Sequence, residues 1–194
     1  MKKLIIGVVG IMVLITLGCS TTKTVPLSQM PDPPRAQPSN EMVLLWLERG
    51  DAYVLSGNYE DAVKDFTQAI TADPNYADAY YRRGHVLGRL GKHEQAIDDF
   101  TRAIELNPKN ANAYADRGAA YGFLGQHAPA ISDFTQAITL NPNFAGAYYN
   151  RAIGYFAEKK CFEAREDVRK AQGLGYQKIQ PEFLDALKKD CPVF

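Results

Sequence analysis

The chain contains 194 residues, of which 46% are hydrophobic, and its 22 basic side chains balance its 22 acidic ones. This length suffices for one domain with a hydrophobic core and additional tails, and the composition excludes collagen, a small disulfide-rich protein and a protein that crosses a membrane many times. Because a nucleic-acid-binding surface is basic, the zero net charge argues against nucleic acid as a partner.

The first eighteen residues predict a signal peptide. Lys2 and Lys3 precede an apolar run from Leu4 to Leu17. This run is too short to cross a hydrocarbon core about 30 Å thick as a helix, and a basic start followed by a short apolar run is typical of a signal sequence. Gly18 and Cys19 follow the run directly.

A small residue followed by cysteine at this place resembles the lipobox of bacterial lipoproteins. The resemblance implies that residues 1–18 are removed and that Cys19 becomes a lipidated first residue, with palmitate among its acyl chains. More than one acyl chain gives stable attachment to a membrane, so the resemblance implies a location in the bacterial cell envelope. Ser20 implies the outer membrane facing the periplasm if the cell is Gram-negative. An ordinary signal peptide or an uncleaved anchor helix is the alternative interpretation.

Residues 19–40 comprise the predicted lipidated cysteine and a tether. From Ser20 to Asn40 the sequence contains five prolines among Ser, Thr, Gln and Asp residues. Such a segment cannot bury a hydrophobic face, and at about 3.1 Å per residue it would extend roughly 65 Å. We therefore expect it to separate a folded domain from the membrane.

Residues 42–177 repeat with a period of 34 residues. Pro74, Pro108 and Pro142 are each preceded by Asp-Phe-Thr-x-Ala-Ile. A fixed period of this length indicates one two-helix unit stacked on copies of itself. The predicted copies occupy about residues 43–76, 77–110, 111–144 and 145–177. In each of the first three copies, a glycine ends the first helix and the proline ends the second.

The repeated unit resembles the tetratricopeptide repeat, in which aromatic and small residues alternate before a terminal proline. The third copy supplies all seven positions, namely Tyr114, Gly118, Tyr121, Ala130, Phe134, Ala137 and Pro142. The first copy also matches, the second has Leu87 in place of its middle aromatic residue, and the fourth is degenerate. The resemblance implies an all-α, right-handed α-solenoid of helix-turn-helix units. Residues 178–194 are predicted to form a capping helix, starting at Pro181, and a tail.

Arginine and aspartate also recur with the repeat period. Because the spacing is that of the repeat, we interpret them as a ladder of structural ion pairs between packed helices and not as acid–base sites. The residues of this ladder are Arg49, Arg83, Arg117, Arg151, Asp65, Asp99, Asp133 and Asp167.

No arrangement typical of a catalytic, metal or phosphate site occurs in the sequence. His93 and His127 are one period apart, which predicts two solvated turn residues and not a pair of metal ligands. The segment Gly88 to His93 lacks the hydroxyl residue that a phosphate-binding loop requires after Lys92. We therefore expect no enzyme, no catalytic residue, no metal, no cofactor and no small-molecule substrate.

Two cysteines remain besides Cys19. We expect Cys161 to lie in the turn before the last repeat's second helix and Cys191 to end the capping helix. If these helices pack antiparallel, the two cysteines meet, and an oxidising exterior favours a disulfide. Two free thiols are the alternative.

The family resemblance implies a protein or peptide partner on the concave face that the first helices of the units form. Aromatic residues beside polar groups suit an extended peptide or a helix. By analogy, the ligand-facing positions are Leu47, Asp51, Tyr81, Arg82, His85, Arg89, Asn112, Asp116, Phe123, Tyr149, Asn150 and Phe156. Leu47, Asp51 and Asp116 occupy positions where chaperone-binding family members carry a carboxylate clamp, so we expect no such clamp.

The sequence therefore predicts a membrane-anchored adaptor or scaffold of the cell envelope that binds a partner protein. A structural subunit of a fixed envelope assembly, such as pilus, secretion or cell-wall machinery, is the first alternative. An enzyme with an unrecognised site is the second.

Overall fold

The computed structural model describes residues 40–191. This part of the chain contains nine helices and no strand, so the all-α prediction is confirmed. The predicted signal peptide, the lipidation site at Cys19 and nearly all of the tether lie outside the described residues. The helices are α1 (Asn40–Leu55), α2 (Tyr59–Ala72), α3 (Ala77–Arg89), α4 (His93–Leu106), α5 (Ala111–Phe123), α6 (His127–Leu140), α7 (Ala145–Ala157), α8 (Cys161–Gly173) and α9 (Pro181–Asp190).

Consecutive helices pack as pairs: α1 with α2, α3 with α4, α5 with α6, and α7 with α8. The chain divides into two compact units, of which the first ends at Pro74 and contains α1 and α2, while the second starts at Asn75 and contains α3 to α9. Within the second unit, α4 packs on α5 and α6 on α7. Between residues 40 and 191, no helix has the length and apolar character needed to span a membrane.

The turn inside each pair depends on a left-handed residue. Gly57, Gly91 and Gly125 have φ of +80°, +73° and +71°, a conformation that glycine adopts at no steric cost. In the fourth pair Lys159 takes this position with φ of +59°. The turn geometry is therefore kept in the degenerate copy although the glycine is not.

In each of the first three pairs, a phenylalanine of the second helix packs against a glycine of the first. In the first unit Phe66 is fully buried, and a Cβ added to Gly50 would collide with its ring. In the second unit a Cβ on Gly118 would lie 3.1 Å from Cε1 of Phe134. The small residues of the repeat pattern are therefore packing requirements, because the helices approach too closely for a larger side chain.

An arginine of the first helix in each pair donates two hydrogen bonds to an aspartate of the second. The donors are Nε and Nη2, and all eight bonds measure 2.7–2.8 Å. Each aspartate is buried, and hydrogen bonding to Asp133 raises the pKa of Arg117 above its ordinary value. The four pairs are Arg49 with Asp65, Arg83 with Asp99, Arg117 with Asp133, and Arg151 with Asp167.

Helix α9 covers the apolar surface of the fourth pair. Leu187 is buried in a cluster with Ala152, Ala164 and Val168. Cys161, the first residue of α8, is bonded to Cys191, which directly follows α9, and their Cα atoms are 5.4 Å apart. The disulfide thus ties the start of one helix to the end of the other.

Candidate partner-binding site

Two neighbouring cavities open on the second unit, each between a helix pair and the first helix of the next pair. The first cavity, of about 300 Å³, is formed by α3, α4 and α5; the second, of about 330 Å³, is formed by α5, α6 and α7. Phe123 and Ala119 of α5 line both. The other lining residues are His85, Gly88, Arg89, His93, Phe100, Asp116 and Ala120 in the first, and Gly122, His127, Ala130, Phe134, Asn150, Ile153 and Gly154 in the second.

Phe123 forms the border between the two cavities. Phe123 is 77% exposed. Its ring stacks on the imidazole of His93 with a centroid distance of 4.8 Å and an interplanar angle of 6°. The stacking holds the aromatic ring in one orientation while most of its surface stays open to solvent. An exposed, oriented aromatic ring is a typical anchor for a protein partner.

A polar cluster lies at the first cavity. The hydroxyl of Tyr81 donates to Oδ2 of Asp116 at 3.0 Å, and Nδ1 of His85 lies 3.5 Å from the same oxygen. Burial, together with the negative charge of Asp116, raises the pKa of the Tyr81 hydroxyl, which therefore keeps its proton. Hydrogen bonding to Asp116 also raises the pKa of His85, against the opposing effects of partial burial and Arg89.

The prediction that His93 and His127 are solvated turn residues is wrong. They are the first residues of α4 and α6, and both are half-buried. The turns end one residue earlier, so each imidazole lines a cavity between helices. Among the described residues, no group of His, Cys, Asp and Glu side chains is arranged to hold a metal ion.

Tyr149 is buried and Phe156 is half-buried, whereas the prediction placed both on an open binding surface. Tyr149 is only 4% exposed; its ring lies 5.1 Å from that of Tyr176 and 5.7 Å from that of Phe183, centroid to centroid. Phe156 meets Phe183 edge-on at 5.5 Å. The backbone N–H of Gln180 also donates to the Tyr149 hydroxyl at 3.3 Å. The chain's own C-terminal segment covers this part of the predicted surface.

The remaining predicted contact residues fall outside the two cavities or are only partly exposed. Leu47 is buried in the first unit with 3% exposure, so it does not belong to a binding surface. Asp51 is half-buried. Arg82 donates from Nε to Asp78 on its own helix at 2.7 Å. Asn112 is exposed near the start of α5 and is not among the residues that line the cavities.

The structure thus brings His85, Arg89, Asp116, Phe123 and Asn150 together around two adjoining cavities. It adds residues that the sequence analysis did not identify as site residues, chiefly Gly88, Gly122 and Ile153. The sequence contained a signal for the two glycines: they are 34 residues apart, and neither occupies one of the seven positions of the repeat pattern. Ile153 gave no such signal.

Comparison with family models identifies the repeated unit. A model described as "Tetratricopeptide repeat" matches residues 77–110 and 111–144, and one described as "TPR repeat" matches residues 50–91. Among curated proteins no sequence matches the chain.

Solved structures with the same helix arrangement include three informative examples. A crystal structure of MamA is 30% identical, with a TM-score of 0.68, covering 74% of this chain and 83% of that one. YrrB, described as a TPR protein with an unusual peptide-binding site, is 26% identical, with a TM-score of 0.64 and 70% coverage of both chains. The first TPR of Spaghetti (RPAP3), bound to the HSP90 peptide SRMEEVD, is 27% identical, with a TM-score of 0.55, covering 71% of this chain and 96% of that one.

Proposed function

Because the chain belongs to the tetratricopeptide-repeat family, we propose that it is a protein-interaction adaptor. It binds a segment of a partner protein on the surface of α3, α5 and α7 that contains the two cavities. The observation that carries this proposal is the pair of adjoining cavities on either side of the exposed Phe123 ring. A protein surface of this kind offers an aromatic anchor beside pockets that a partner's side chains can fill.

The similarity to peptide-binding structures supports the proposal. Both YrrB and the first TPR of Spaghetti are described with a peptide-binding site or a bound peptide. The chemistry of the surface also suits a peptide, since Arg89, Asp116 and Asn150 supply polar groups beside apolar cavities.

We further propose that a lipid on Cys19 anchors this adaptor in a bacterial cell envelope. The support is the sequence around Cys19 alone, in which a basic start, a short apolar run and Gly18 precede the cysteine. The five prolines between Ser20 and Asn40 would then keep the helical units away from the lipid surface.

The test compares two exposed phenylalanines. Peptides that bind the wild-type protein are selected from a random 12-residue display library. Their affinities for the wild type, Phe123→Ala and Phe162→Ala are then compared. Phe162 of α8 is 72% exposed, almost as much as Phe123, but it does not line either cavity. Loss of an aromatic anchor typically costs 2 kcal/mol or more, or about 30-fold in affinity.

We therefore expect about 30-fold weaker binding to Phe123→Ala and unchanged binding to Phe162→Ala. Selected peptides that bind all three proteins equally would show that this surface is not the binding site.

A further inference from the structure

Gly88 in α3 and Gly122 in α5 are not explained by the packing of the fold. A Cβ added to either residue would meet no atom within 4 Å, and neither residue has a positive φ. The contrast with Gly84 and Gly118 is clear, because a Cβ on those residues would lie 3.0 Å and 3.1 Å from a phenylalanine ring. Glycine is less favourable than alanine in a helix, so some other role must account for Gly88 and Gly122.

The repeat itself does not require glycine at this position. One period before Gly88 the sequence has Val54, and one period after Gly122 it has Phe156, and both of these residues are also helical. The helix therefore accepts β-branched and aromatic side chains here. Both copies that have glycine here have an open cavity beside it.

The two cavities are one site repeated at the interval of one unit. Residues 34 positions apart line them at equivalent places: Gly88 and Gly122, His93 and His127, and Phe100 and Phe134. Because glycine has no Cβ, each cavity reaches the helix backbone, at Gly88 in α3 and at Gly122 in α5. Glycine is typical of places where a ligand approaches the backbone closely.

The fourth pair shows how this chain covers the corresponding surface. Phe156 stands in place of the glycine and Phe183 packs against it. The segment that precedes α9 crosses the same first helix, with Tyr176 against Tyr149 and Ile179 in the adjoining apolar cluster. Gln180 in this segment has φ of −72° and ψ of 126°. A non-helical segment with two apolar side chains three residues apart, Tyr176 and Ile179, therefore already occupies this surface once.

From these observations we infer that the two cavities are subsites for two large apolar side chains of one extended partner peptide, three residues apart. The inference rests on the proposed function and adds the conformation of the bound peptide and the spacing of its anchoring side chains. The equivalent first helices α3 and α5 are in contact, so we take the spacing of the cavities as about 8–10 Å, the distance between contacting helices. A polyproline-type peptide rises about 3.1 Å per residue with three residues per turn, so its side chains at i and i+3 point the same way about 9 Å apart.

Polar groups at the cavities also favour an extended peptide over a helix. The backbone N–H and C=O groups of an extended peptide need partners, whereas those of a helix bond to one another. The carboxamide of Asn150 lines the second cavity and offers both a donor and an acceptor. His93 lines the first cavity, and its buried Nδ1 has no hydrogen-bond partner among the described residues.

The experiment uses a series of fluorescein-labelled proline-rich peptides with two leucines placed from i, i+2 to i, i+5. Fluorescence anisotropy measures their affinity for the full-length protein in detergent. We expect the tightest binding at i, i+3. We also expect Gly88→Leu and Gly122→Leu each to weaken this binding at least tenfold, because the new side chain fills a subsite.

Gly173→Leu is the matched control. Gly173 ends α8, an added Cβ there also meets no atom within 4 Å, and the residue lines neither cavity. Its variant should bind like the wild type. Thermal unfolding of all three variants shows whether they remain folded, and we expect no lower melting temperature for the two cavity variants than for the control.

The outcomes separate the inference from the proposed function. Binding that Phe123→Ala weakens but Gly88→Leu and Gly122→Leu leave unchanged would overturn the subsites and keep the adaptor. Tightest binding at a spacing other than i, i+3, or equal binding at all spacings, would also overturn the inference. If none of these peptides binds while library-selected peptides bind at Phe123, the inference fails alone; if neither kind binds, both proposals fail.

Discussion

At the scale of single residues, the repeat period carries two kinds of information. Positions that pack inside a helix pair, such as Gly118 and Phe134, recur because the same contact is made in the first three copies. Positions such as Gly88 and Gly122 recur without a packing contact. The structure shows the reason for each, since a Cβ would meet a phenylalanine ring at Gly118 and no atom at Gly122.

The Arg–Asp pairs lead to a prediction about stability. Asp133→Ala would leave the guanidinium of Arg117 largely buried, with 17% of its side chain exposed, and without its carboxylate. Removing one member of such a pair typically costs about 3 kcal/mol or more. Urea unfolding should show this loss.

The control is Asp185→Ala. Asp185 and its partner Lys188 are each 78% exposed, so no measurable change in stability is expected. Equal stability of the two variants would contradict a structural role for the ladder.

His85 leads to a prediction about pH. Its pKa is raised by hydrogen bonding to Asp116, so its charged form stabilises the folded state. This contribution is complete below the unfolded pKa of about 6.5 and is lost as the pH rises through the higher folded value. The wild type should therefore exceed His85→Gln in stability at pH 5.5 and lose that advantage by pH 8.5.

Because His85 and Asp116 are partly exposed, with side-chain exposures of 48% and 34%, screening keeps this difference below about 1 kcal/mol. Urea unfolding at the two pH values measures it, and 1 M NaCl should reduce it further. An advantage of the wild type that grows with pH would contradict the assigned interaction.

At the scale of helices, α9 has the largest effect on the candidate site. Its Phe183 ring packs against Tyr149 and Phe156, so part of α7 is covered and does not belong to the open binding surface. The sequence indicated an amphipathic last helix. The two cysteines suggested packing against α8, but nothing in the sequence indicated that Phe183 would also cover Tyr149 and Phe156 of α7.

The Cys161–Cys191 disulfide leads to a prediction about α9. The bond spans a sequence separation of 30 residues, and a loop of this size gives about 3–4 kcal/mol of stabilisation in the chain-entropy account. Cys191→Ser should lose a comparable amount of stability. It should also increase hydrogen exchange in α9.

Thiol counting tests the bond itself. The Cys19→Ser variant has only these two cysteines, so the folded protein should show no reactive thiol before reduction and two after it. Two thiols before reduction would exclude the disulfide in the isolated protein.

At the scale of the whole molecule, the described helices account for residues 40–191, and the proposed anchor lies before them. The sequence around Cys19 predicts lipidation, so Cys19→Ser should abolish incorporation of labelled palmitate. It should also move the protein from the membrane fraction to the soluble fraction. Cys161→Ser, which leaves the predicted lipobox intact, should remain in the membrane fraction. Membrane retention of Cys19→Ser without label would contradict the lipid anchor.

The sequence by itself determined the helix pairs, their turns and the family. These features depend on local rules, such as a left-handed glycine at Gly91 and a proline that stops a helix, and on contacts that recur at a fixed spacing. Only the tertiary structure decided which predicted contact residues are accessible. Tyr149 is covered by the segment before α9, while Phe123 is exposed. Accessibility depends on which distant segment packs on a surface, and no local pattern specifies that.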